Sequence, residues 1–512
     1  MGIRWLGPMF VASALAFAGC GGGTGARDVA PADVPVPPED APGDGSTADV
    51  PDVVPDDAPE DSDAEAPGDA AADASDVPVK SEAPILLLEK QVLDTTWGSD
   101  PQFPLDGSRE SPRVRVSACG TVGVLFRDVV KSPDGSFDTS VVAQVFAGTG
   151  VSAPPRGYLA TAAKKDAPLP TSGTLVFSDE ATGCKPRVWR ASDVRAGYDL
   201  WTLKDDGTWQ SLDALPGLEV ALGKLPAAVR HLAADMDGLG QMHLLFEATF
   251  ASGDPASVHA WVKDGAWTIA RFQPPSTDGG CFGYAFASSG ALHAVCLKGG
   301  DIVHGLLDGA DWTYATAVAA GDASAVLLPT SIALGGYDVP LIAYTRLQRI
   351  EDGPNGTPDY AYAQLELALQ AQDGSWSSEV IVQETDGYLG GDGKRFTGWA
   401  PMVVVPSGSG GIHVAFSDIA ASHGSDLVQQ FDPGQARYAF RTGSDWKLAT
   451  IFRQRLLATD HRSDLGWNPL IGVSPNGKQA AFLVLEQQRD KVLPTEGPVP
   501  GTIRPQLVRT SR

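Results

Sequence analysis

Three histidines recur at one place in three similar segments of the 512-residue sequence, and imidazole is the side chain best suited to proton transfer or metal binding near neutral pH. His243, His293 and His413 each precede a pair of apolar residues in an expected second strand. Equivalent positions of successive repeats share a layer but stand well apart, so they do not by themselves assemble a metal site. We therefore predict half-buried histidines bonded to neighbouring turns, with no metal, no cofactor and no catalytic residue.

Other motifs of catalytic and phosphate-binding sites are missing from the sequence. It contains no Gly-x-Ser-x-Gly elbow, His-Glu-x-x-His pair, phosphate-binding loop or Cys-x-x-Cys. The stretch from Asp386 to Gly393 is rich in Asp and Gly, but it lacks the alternating acids and the closing Glu of a twelve-residue calcium loop. Together these features favour a binding protein over an enzyme.

Two tryptophans share a Gly-Trp-x-Pro motif: Trp399 follows Gly398, and Trp467 follows Gly466. Both stand just before an expected first strand, where the chain would enter a repeat close to its axis. Aromatic rings at such a place can stack on a sugar or on a peptide ring. Packing between repeats is the alternative role. We predict that Trp399 and Trp467 form a binding face.

The elements that must position these residues are short strands that recur along the chain. Each copy combines a short apolar strand, a Gly-bearing turn, a second strand and a later Gly-x-Trp or Asp-Trp step. Second strands begin near residues 122, 187, 242, 292, 340, 412 and 480, a mean spacing of about 60 residues that suits a four-stranded blade. The sequence therefore predicts an all-β fold, a β-propeller of seven blades, with six or eight blades as alternatives.

The last copy lacks one strand of its blade. It has expected strands near residues 470, 480 and 503–509, but no Trp step follows them. The segment Pro84–Trp97 could supply the fourth strand from the amino-terminal end. Closing the ring in this way removes exposed sheet edges, which would otherwise invite aggregation.

The Trp steps at residues 209, 267, 312, 376 and 446 are predicted to pack along the outer strands. Their Asp-Gly-x-Trp turns resemble the Asp-box turns of sialidase-type propellers, and the nearest copy is Asp205-Asp206-Gly207-Thr208-Trp209. The resemblance implies the blade architecture over most of residues 110–490. It does not extend to sialidase catalysis, which needs three Arg around a carboxylate, a Tyr nucleophile with a Glu, and an Asp acid.

Four cysteines of the expected propeller are predicted to form two disulfides. Cys281 and Cys296 flank a hairpin centred on Ser288 and Ser289, so they should lie directly opposite each other. Cys119 and Cys184 each fall in the first turn of their blade, and a bridge between them would tie blade 1 to blade 2. Such pairing requires an oxidising compartment.

The amino terminus is predicted to be a targeting segment. Arg4 supplies a positive charge, the apolar stretch Leu6–Ala18 follows, and small residues then precede Cys20. This arrangement resembles the lipobox of bacterial lipoproteins, which implies a signal peptide at residues 1–19, cleavage before Cys20 and lipidation of its thiol. By the same resemblance Gly21 favours the outer membrane. An ordinary secretory signal with an incidental cysteine is the alternative.

Residues 20–84 are predicted to form a disordered linker, and residues 85–512 the propeller. Between Ala26 and Pro84 the chain has 17 acidic and two basic residues and no aromatic residue, a composition that cannot bury enough apolar surface to fold. That segment carries a charge of -15 out of a total of -25. Such a linker would hold the propeller away from the lipid.

These features together predict a lipid-anchored, monomeric protein of the outer membrane or cell surface, whose propeller binds a glycan or a protein. The acidic balance excludes nucleic acid as a partner, because binding phosphate requires a basic surface. The alternative is a glycoside hydrolase or lyase of sialidase-like propeller type, with carboxylates on the loops at residues 347–360 and 383–398.

Overall fold

Short apolar strands separated by tight turns make up most of the computed structural model. The expected signal peptide and linker lie outside the described residues. The structure describes residues 86–92, 113–131, 137–146, 157–162, 174–178, 183–191, 198–213, 216–223, 228–237, 239–250, 255–263, 265–273, 277, 280–309, 311–321, 325–352, 358–383, 388–389, 393–406, 411–422, 435–441, 443–453, 462–465, 470–489 and 503–511.

The described strands form seven antiparallel sheets, arranged as the blades of a propeller, and this confirms the predicted fold and blade number. We number blades and strands in chain order. Blades 1 to 3 comprise β2 (Arg113–Val116), β3 (Val122–Lys131), β4 (Phe137–Phe146) and β5 (Gly157–Ala162); β6 (Thr174–Phe177), β7 (Pro186–Ala191), β8 (Tyr198–Leu203) and β9 (Trp209–Asp213); β10 (Ala228–Met236), β11 (Met242–Thr249), β12 (Pro255–Lys263) and β13 (Ala266–Phe272).

The remaining four blades follow the same plan. Blades 4 and 5 comprise β14 (Cys281–Phe286), β15 (Leu292–Lys298), β16 (Asp301–Asp308) and β17 (Asp311–Val318); β18 (Ala325–Leu334), β19 (Pro340–Asp352), β20 (Pro358–Gln370) and β21 (Trp376–Gln383). Blades 6 and 7 comprise β22 (Tyr388–Leu389), β23 (Gly393–Val404), β24 (Ile412–Ser422), β25 (Gln435–Arg441) and β26 (Trp446–Arg453); β27 (Arg462–Leu465), β28 (Leu470–Val473), β29 (Gln479–Arg489), β30 (Ile503–Ser511) and β1 (Leu86–Val92).

The ring closes as the sequence predicts, because β1 from the amino-terminal end pairs antiparallel with β30. Blade 7 therefore takes its outermost strand from one end of the chain and its other strands from the opposite end. Its innermost strand has two parts, since β27 and β28 pair with successive stretches of β29. Closure of this kind covers the edge of β30 with a strand from the other end of the chain.

The first long strand of each blade lies towards the axis, and we call β2, β6, β10, β14, β18, β23 and β27/β28 the inner strands. In blade 6 the short strand β22 pairs with the other edge of β23. Inner strands of neighbouring blades contact one another, as β14 contacts β18 and β18 contacts β23. The second strands are buried on both faces and therefore read as continuous apolar runs. In β11, for example, Leu244, Leu245 and Phe246 are all buried.

Apolar clusters fill the interfaces between adjacent blades. One cluster joins Ala415 and Tyr438 of blade 6 to Ile471, Phe482 and Val484 of blade 7. The tryptophan at the first or second position of an outer strand packs as the sequence predicts, and in five cases it contacts the preceding blade. The contacts are Trp209 with the cluster containing Val141, Trp267 with Trp189, Trp312 Nε1 with Gln273 O, Trp376 with His304, and Trp446 Nε1 with Glu379.

A short helix, α1 (Pro216–Leu222), lies between blades 2 and 3 and packs on β13. Leu218 and Leu222, one turn apart, are buried, and Arg271 donates a hydrogen bond to the carbonyl of Leu222 at 2.7 Å. No helix in the described part of the chain is both long and apolar enough to cross a membrane.

Both predicted disulfides are present. Cys119–Cys184 joins the first turn of blade 1 to the first turn of blade 2. Cys281–Cys296 joins β14 to β15, and the two residues pair directly across the sheet. The turn between these strands is centred on Ser289, and a bulge at Phe282 restores the direct opposition of the two cysteines.

The two ends of the propeller differ in their connections. We call the end that carries the first and third turns of each blade the turn face, and the opposite end the loop face. Turns on the turn face are linked across blades: Ser288 N and Oγ both donate to Asp338 Oδ2, at 3.1 and 2.6 Å. The Cys119–Cys184 disulfide lies on the same face. The turn between β15 and β16, at Gly299 and Gly300, belongs to the loop face.

Candidate functional site

The recurring histidines are buried and paired rather than open to a substrate. His243 Nδ1 lies 2.9 Å from Nε2 of His259 on the next strand, and His243 Nε2 lies 3.4 Å from Asp237 Oδ2. Asp237 also holds its own turn, because its Oδ1 accepts the backbone N–H groups of Leu239 and Gln241. The predicted bond to a neighbouring turn is therefore present at His243, although the side chain is buried more completely than expected.

Burial keeps these imidazoles neutral. Burial lowers the pKa of His243, against the raising effect of Asp237, and it lowers the pKa of His259 to about 3. With both rings neutral, His259 Nε2 donates to His243 Nδ1, and His243 Nε2 donates to the Asp237 carboxylate. His243 thus accepts a hydrogen bond at one nitrogen and donates one from the other, so these three side chains satisfy one another without a ligand.

The other two histidines have equivalent partners. His293 Nδ1 lies 2.9 Å from His304 Nε2, and burial lowers the pKa of each to about 4. His413 Nδ1 lies 2.6 Å from the hydroxyl of Tyr438. Among the described residues no three His, Cys, Asp or Glu side chains converge so as to hold a metal ion. The sequence carries no marker for His259, His304 or Tyr438, because each partner lies diagonally across a strand pair.

A Tyr, a Glu and an Arg converge in blade 5, which are three of the residue types that sialidase chemistry needs. The hydroxyl of Tyr344 donates to Glu366, and Arg346 Nε donates to Glu366 Oε1 at 2.7 Å. Tyr344 and Glu366 are buried within the blade, and Tyr344 packs in the cluster between blades 4 and 5. Burial and the bond to Glu366 raise the pKa of Tyr344. A substrate cannot reach this phenol, so the group holds the blade together.

The Asp-Gly-x-Trp turns are likewise structural. Asp206 Oδ1 accepts from Thr208 N at 2.9 Å and from its hydroxyl, and Asp373 Oδ1 accepts from Ser375 N and Oγ in the same way. These hydrogen bonds lower the pKa of both carboxyls. Gly207 and Gly374 have positive φ angles, which this turn requires.

Trp399 lies inside the inner strand of blade 6 and not just before it as the sequence suggests. β23 begins at Gly393, and Trp399 pairs with Ser417 between two register shifts. Gly398 and Pro401 fall in the two irregular stretches. These residues interrupt regular pairing without ending the strand, which explains the misplaced boundary.

Trp467 lies outside the described residues, but its place in the chain is fixed by its neighbours. It falls between β27, which ends at Leu465, and β28, which begins at Leu470. Each tryptophan stands three residues before the regularly paired stretch that begins at Met402 or Leu470.

The partner of Trp399 on β24 lies on the face of blade 6 that meets blade 7. Ala415 packs in the cluster between these blades, and Ser417, two residues further along β24, is on the same face of the sheet. Trp399 pairs directly with Ser417 across β23 and β24. We call the irregularly paired part of β23, from Phe396 to Met402, the irregular stretch of β23.

Two further residues, one on β24 opposite the irregular stretch of β23 and one at the bulge in β14, have no sequence signal that would have singled them out. Ser417 Oγ is buried and has no hydrogen-bond partner among the described residues. Phe282, the extra residue of the bulge in β14, is 36% exposed. The sequence does not distinguish this serine and this phenylalanine from other strand residues, because their positions depend on the strand register.

The alternative function, a glycoside hydrolase or lyase, would use carboxylates at residues 347–360 and 383–398. The structure describes these two segments in part. β19 extends to Asp352 and β20 begins at Pro358, so residues 347–352 and 358–360 continue the strands of blade 5 towards the loop face. Residues 353–357, 384–387 and 390–392 lie outside the described residues.

Comparisons with known proteins concern the fold. No family model and no curated protein matches the chain. Similar solved structures include virginiamycin B lyase from Staphylococcus aureus, with 11% identity, a TM-score of 0.34 and coverage of 82% of this chain and 99% of that chain. An α-L-arabinanase from Penicillium chrysogenum has 12% identity, a TM-score of 0.30 and coverage of 83% and 98%.

The NanB sialidase from Streptococcus pneumoniae has 11% identity, a TM-score of 0.29 and coverage of 78% of this chain and 69% of that chain. These solved structures are sialidases and other β-propeller proteins. At such identities the likeness concerns the propeller fold and nothing finer.

Proposed function

We propose that the protein is an exported lipoprotein whose propeller binds a glycan or a protein, without chemical conversion, at the irregular stretch of β23. The observation that supports this proposal is the position of Trp399 between two register shifts of that strand. Trp399 and Trp467 both belong to Gly-Trp-x-Pro motifs that precede a regularly paired part of an inner strand, so we propose that Trp467 contributes to the same binding face. Irregular pairing re-aims side chains, and aromatic rings in a concave site provide stacking surface for a ligand.

The buried state of the catalytic residue types supports binding over catalysis. The Tyr344–Glu366–Arg346 group uses its polar atoms internally, and so does the Asp237–His243–His259 chain. A general acid, base or nucleophile must instead come within hydrogen-bond reach of a substrate. These buried groups therefore support the proposed binding function rather than catalysis.

The lipid anchor at Cys20 is supported by the lipobox resemblance and by the disulfides. Cys119–Cys184 and Cys281–Cys296 are of the kind that form in oxidising compartments, so they indicate an exported protein. Two or three acyl chains on one residue suffice for stable attachment to a membrane. Residues 20–84 would serve as the spacer between lipid and propeller, which would act as a monomer on the outer membrane or cell surface.

A glycan array followed by a turnover assay tests the function. We expect the purified protein to retain at least one glycan, and Trp399→Ala to abolish retention, with no product released over hours. Release of a shortened or unsaturated sugar would instead favour the glycoside hydrolase or lyase alternative, with carboxylates from residues 347–360 and 383–398. Two such groups about 5 to 10 Å apart would fit hydrolysis.

Fractionation of cells tests the anchor separately. The wild-type protein should sediment with membranes, and Cys20→Ser should move it to the soluble fraction. A Cys20→Ser protein that stays with the membranes would contradict lipidation as the means of attachment. The assay does not depend on the ligand, so it can fail while the binding proposal stands.

A further inference from the structure

The two disulfides differ in the exposure of their cysteines. Cys281 and Cys296 are 9% and 0% exposed, and both pack in one apolar cluster of blade 4. Cys119 is an exposed residue of the first turn of blade 1, whereas its partner Cys184 in blade 2 is 3% exposed. An attacking thiolate must reach a sulfur atom. The Cys119–Cys184 bridge can therefore be attacked in the folded protein, and the attack comes from the side of Cys119.

A backbone N–H group supports the departure of Cys184 in such an attack. The first turn of blade 1 uses the N–H groups of Ser117, Gly120 and Thr121 for its own hydrogen bonds. The N–H of Cys119 donates instead to Cys184 Sγ, at 3.2 Å. A neutral sulfur is a weak acceptor, but the bond becomes charge-assisted and about twice as strong when the sulfur leaves as a thiolate.

The backbone at Cys184 is strained. Its φ angle is 51°, in the left-handed region that residues with a Cβ rarely adopt, and it follows Gly183 with φ of 82°. Strain of this kind persists only where surrounding contacts hold it. Two hydrogen bonds between Ser178 and Lys185, at 2.9 and 2.8 Å, close the base of this turn, and the disulfide holds the cysteine within it. Opening of the bridge removes one of these restraints.

We propose that Cys119–Cys184 is a thiol-exchange site, at which the thiolate of a small thiol compound attacks Cys119 Sγ and forms a mixed disulfide there. The Cys119–Cys184 bond breaks, and Cys184 Sγ leaves with the bonding pair and takes a proton from water. One disulfide replaces another, so this step involves no net oxidation. If the compound is a dithiol, its second thiolate then displaces Cys119, so the dithiol is oxidised to a disulfide and the bridge is reduced to two thiols.

Exchange at this site would untie blade 1 from blade 2 on the turn face. Their inner strands β2 and β6 also contact each other directly, so we expect the propeller to stay folded with the bridge open. The site does not involve the irregular stretch of β23, so this proposal does not depend on the ligand proposed there.

Graded reduction of the wild-type protein provides the first test, with the buried Cys281–Cys296 bridge as the internal control. The native protein is treated with dithiothreitol, quenched with iodoacetamide and mapped by peptide mass spectrometry. We expect Cys119 and Cys184 to be alkylated at least about tenfold faster than the buried pair, whose reduction requires the fold to open. The near-UV circular dichroism should remain that of the folded protein. Equal rates for the two bridges, or loss of this signal before alkylation, would overturn the proposal.

Reduced glutathione provides the second test, because it shows which sulfur is attacked. In the wild-type protein treated with glutathione and then alkylated, we expect glutathione on Cys119 and the alkyl group on Cys184. The reverse assignment, or an equal mixture, would overturn the role of Cys119.

Two variants that each lack one cysteine of the bridge give a matched comparison. Cys184→Ala and Cys119→Ala lose the same bridge, so their Tm values should agree within about 2 °C. With oxidised glutathione, the remaining Cys119 thiol should form a mixed disulfide at least about tenfold faster than the remaining Cys184 thiol. Equal rates would contradict an attack that is directed to Cys119 by exposure.

Discussion

Arg115 in the inner strand of blade 1 forms an ion pair with Asp235 in the inner strand of blade 3, so this contact reaches past blade 2. The guanidinium Nη2 donates to Oδ2 of the carboxylate. Each residue is the last but one of its strand, at the turn-face end. Links of this kind join the inner strands near the turn face, and we therefore expect a ligand to enter from the loop face.

The Arg115–Asp235 pair should contribute little to stability. Its side chains are 23% and 42% exposed, and partly exposed pairs contribute at most about 1 kcal/mol because water screens them. We expect a coupling energy below about 1 kcal/mol in a double-mutant cycle of Arg115→Met and Asp235→Asn, measured by urea unfolding. A coupling energy above about 2 kcal/mol would mean that the pair holds the ring closed.

Stability should fall in mild acid because of the paired histidines. Burial lowers the folded-state pKa of His293 and His304 to about 4 and of His259 to about 3, below the unfolded value of about 6.5. Below pH 6.5 the unfolded chain therefore binds more protons than the folded protein. Stability is fully present above pH 6.5, and each such histidine removes about 2 kcal/mol between pH 6.5 and pH 5.

Replacing one pair by apolar residues tests this assignment. Between pH 6.5 and pH 5, the double variant His293→Leu, His304→Leu should lose about 4 kcal/mol less stability than the wild type. The measurement is the free energy of unfolding in urea at each pH. The single variant His413→Leu serves as the control, because the partner of His413 is Tyr438 and not a second histidine. An unchanged pH dependence in the double variant would assign the acid sensitivity to other groups.

The turn between β18 and β19 should gain stability when its tyrosine is replaced. Tyr337 has φ of 60°, a left-handed conformation that disfavours most side chains, and it is 98% exposed. Tyr337→Asn should therefore raise the free energy of unfolding by about 0.5 to 1 kcal/mol, because Asn tolerates this conformation and no packing is lost. Tyr337→Phe, which keeps the strain, should show no change. A destabilised Tyr337→Asn would mean that the ring packs against another part of the protein.

The two disulfides should differ in their effect on stability. Cys119–Cys184 closes a loop with a sequence separation of 65, against 15 for Cys281–Cys296. In the chain-entropy description the longer loop contributes about 4 kcal/mol and the shorter one about 3 kcal/mol. Paired Cys→Ala variants compared by urea unfolding should show this order. The reverse order would mean that strain or packing outweighs loop closure.

Regular features of the fold were predictable, and irregular ones were not. Gly turns at a nearly constant spacing indicated seven blades, and the missing last strand indicated closure by β1. The sequence did not predict the bulge at Phe282 or the two irregular stretches around Trp399, because a bulge shifts the register without changing the composition. The pairing of Ser417 with Trp399 could not be predicted either, because it depends on that register.

Equilibrium binding of a glycan retained by the wild-type protein, compared with the Trp399→Ala variant, is the most direct test of the proposed binding face. We predict that the variant keeps the Tm of the wild type within about 2 °C but binds at least tenfold more weakly, and that the glycan is recovered unchanged from the wild-type protein. Equal affinity of the two proteins, or recovery of a cleaved glycan, would contradict a non-catalytic binding site at Trp399.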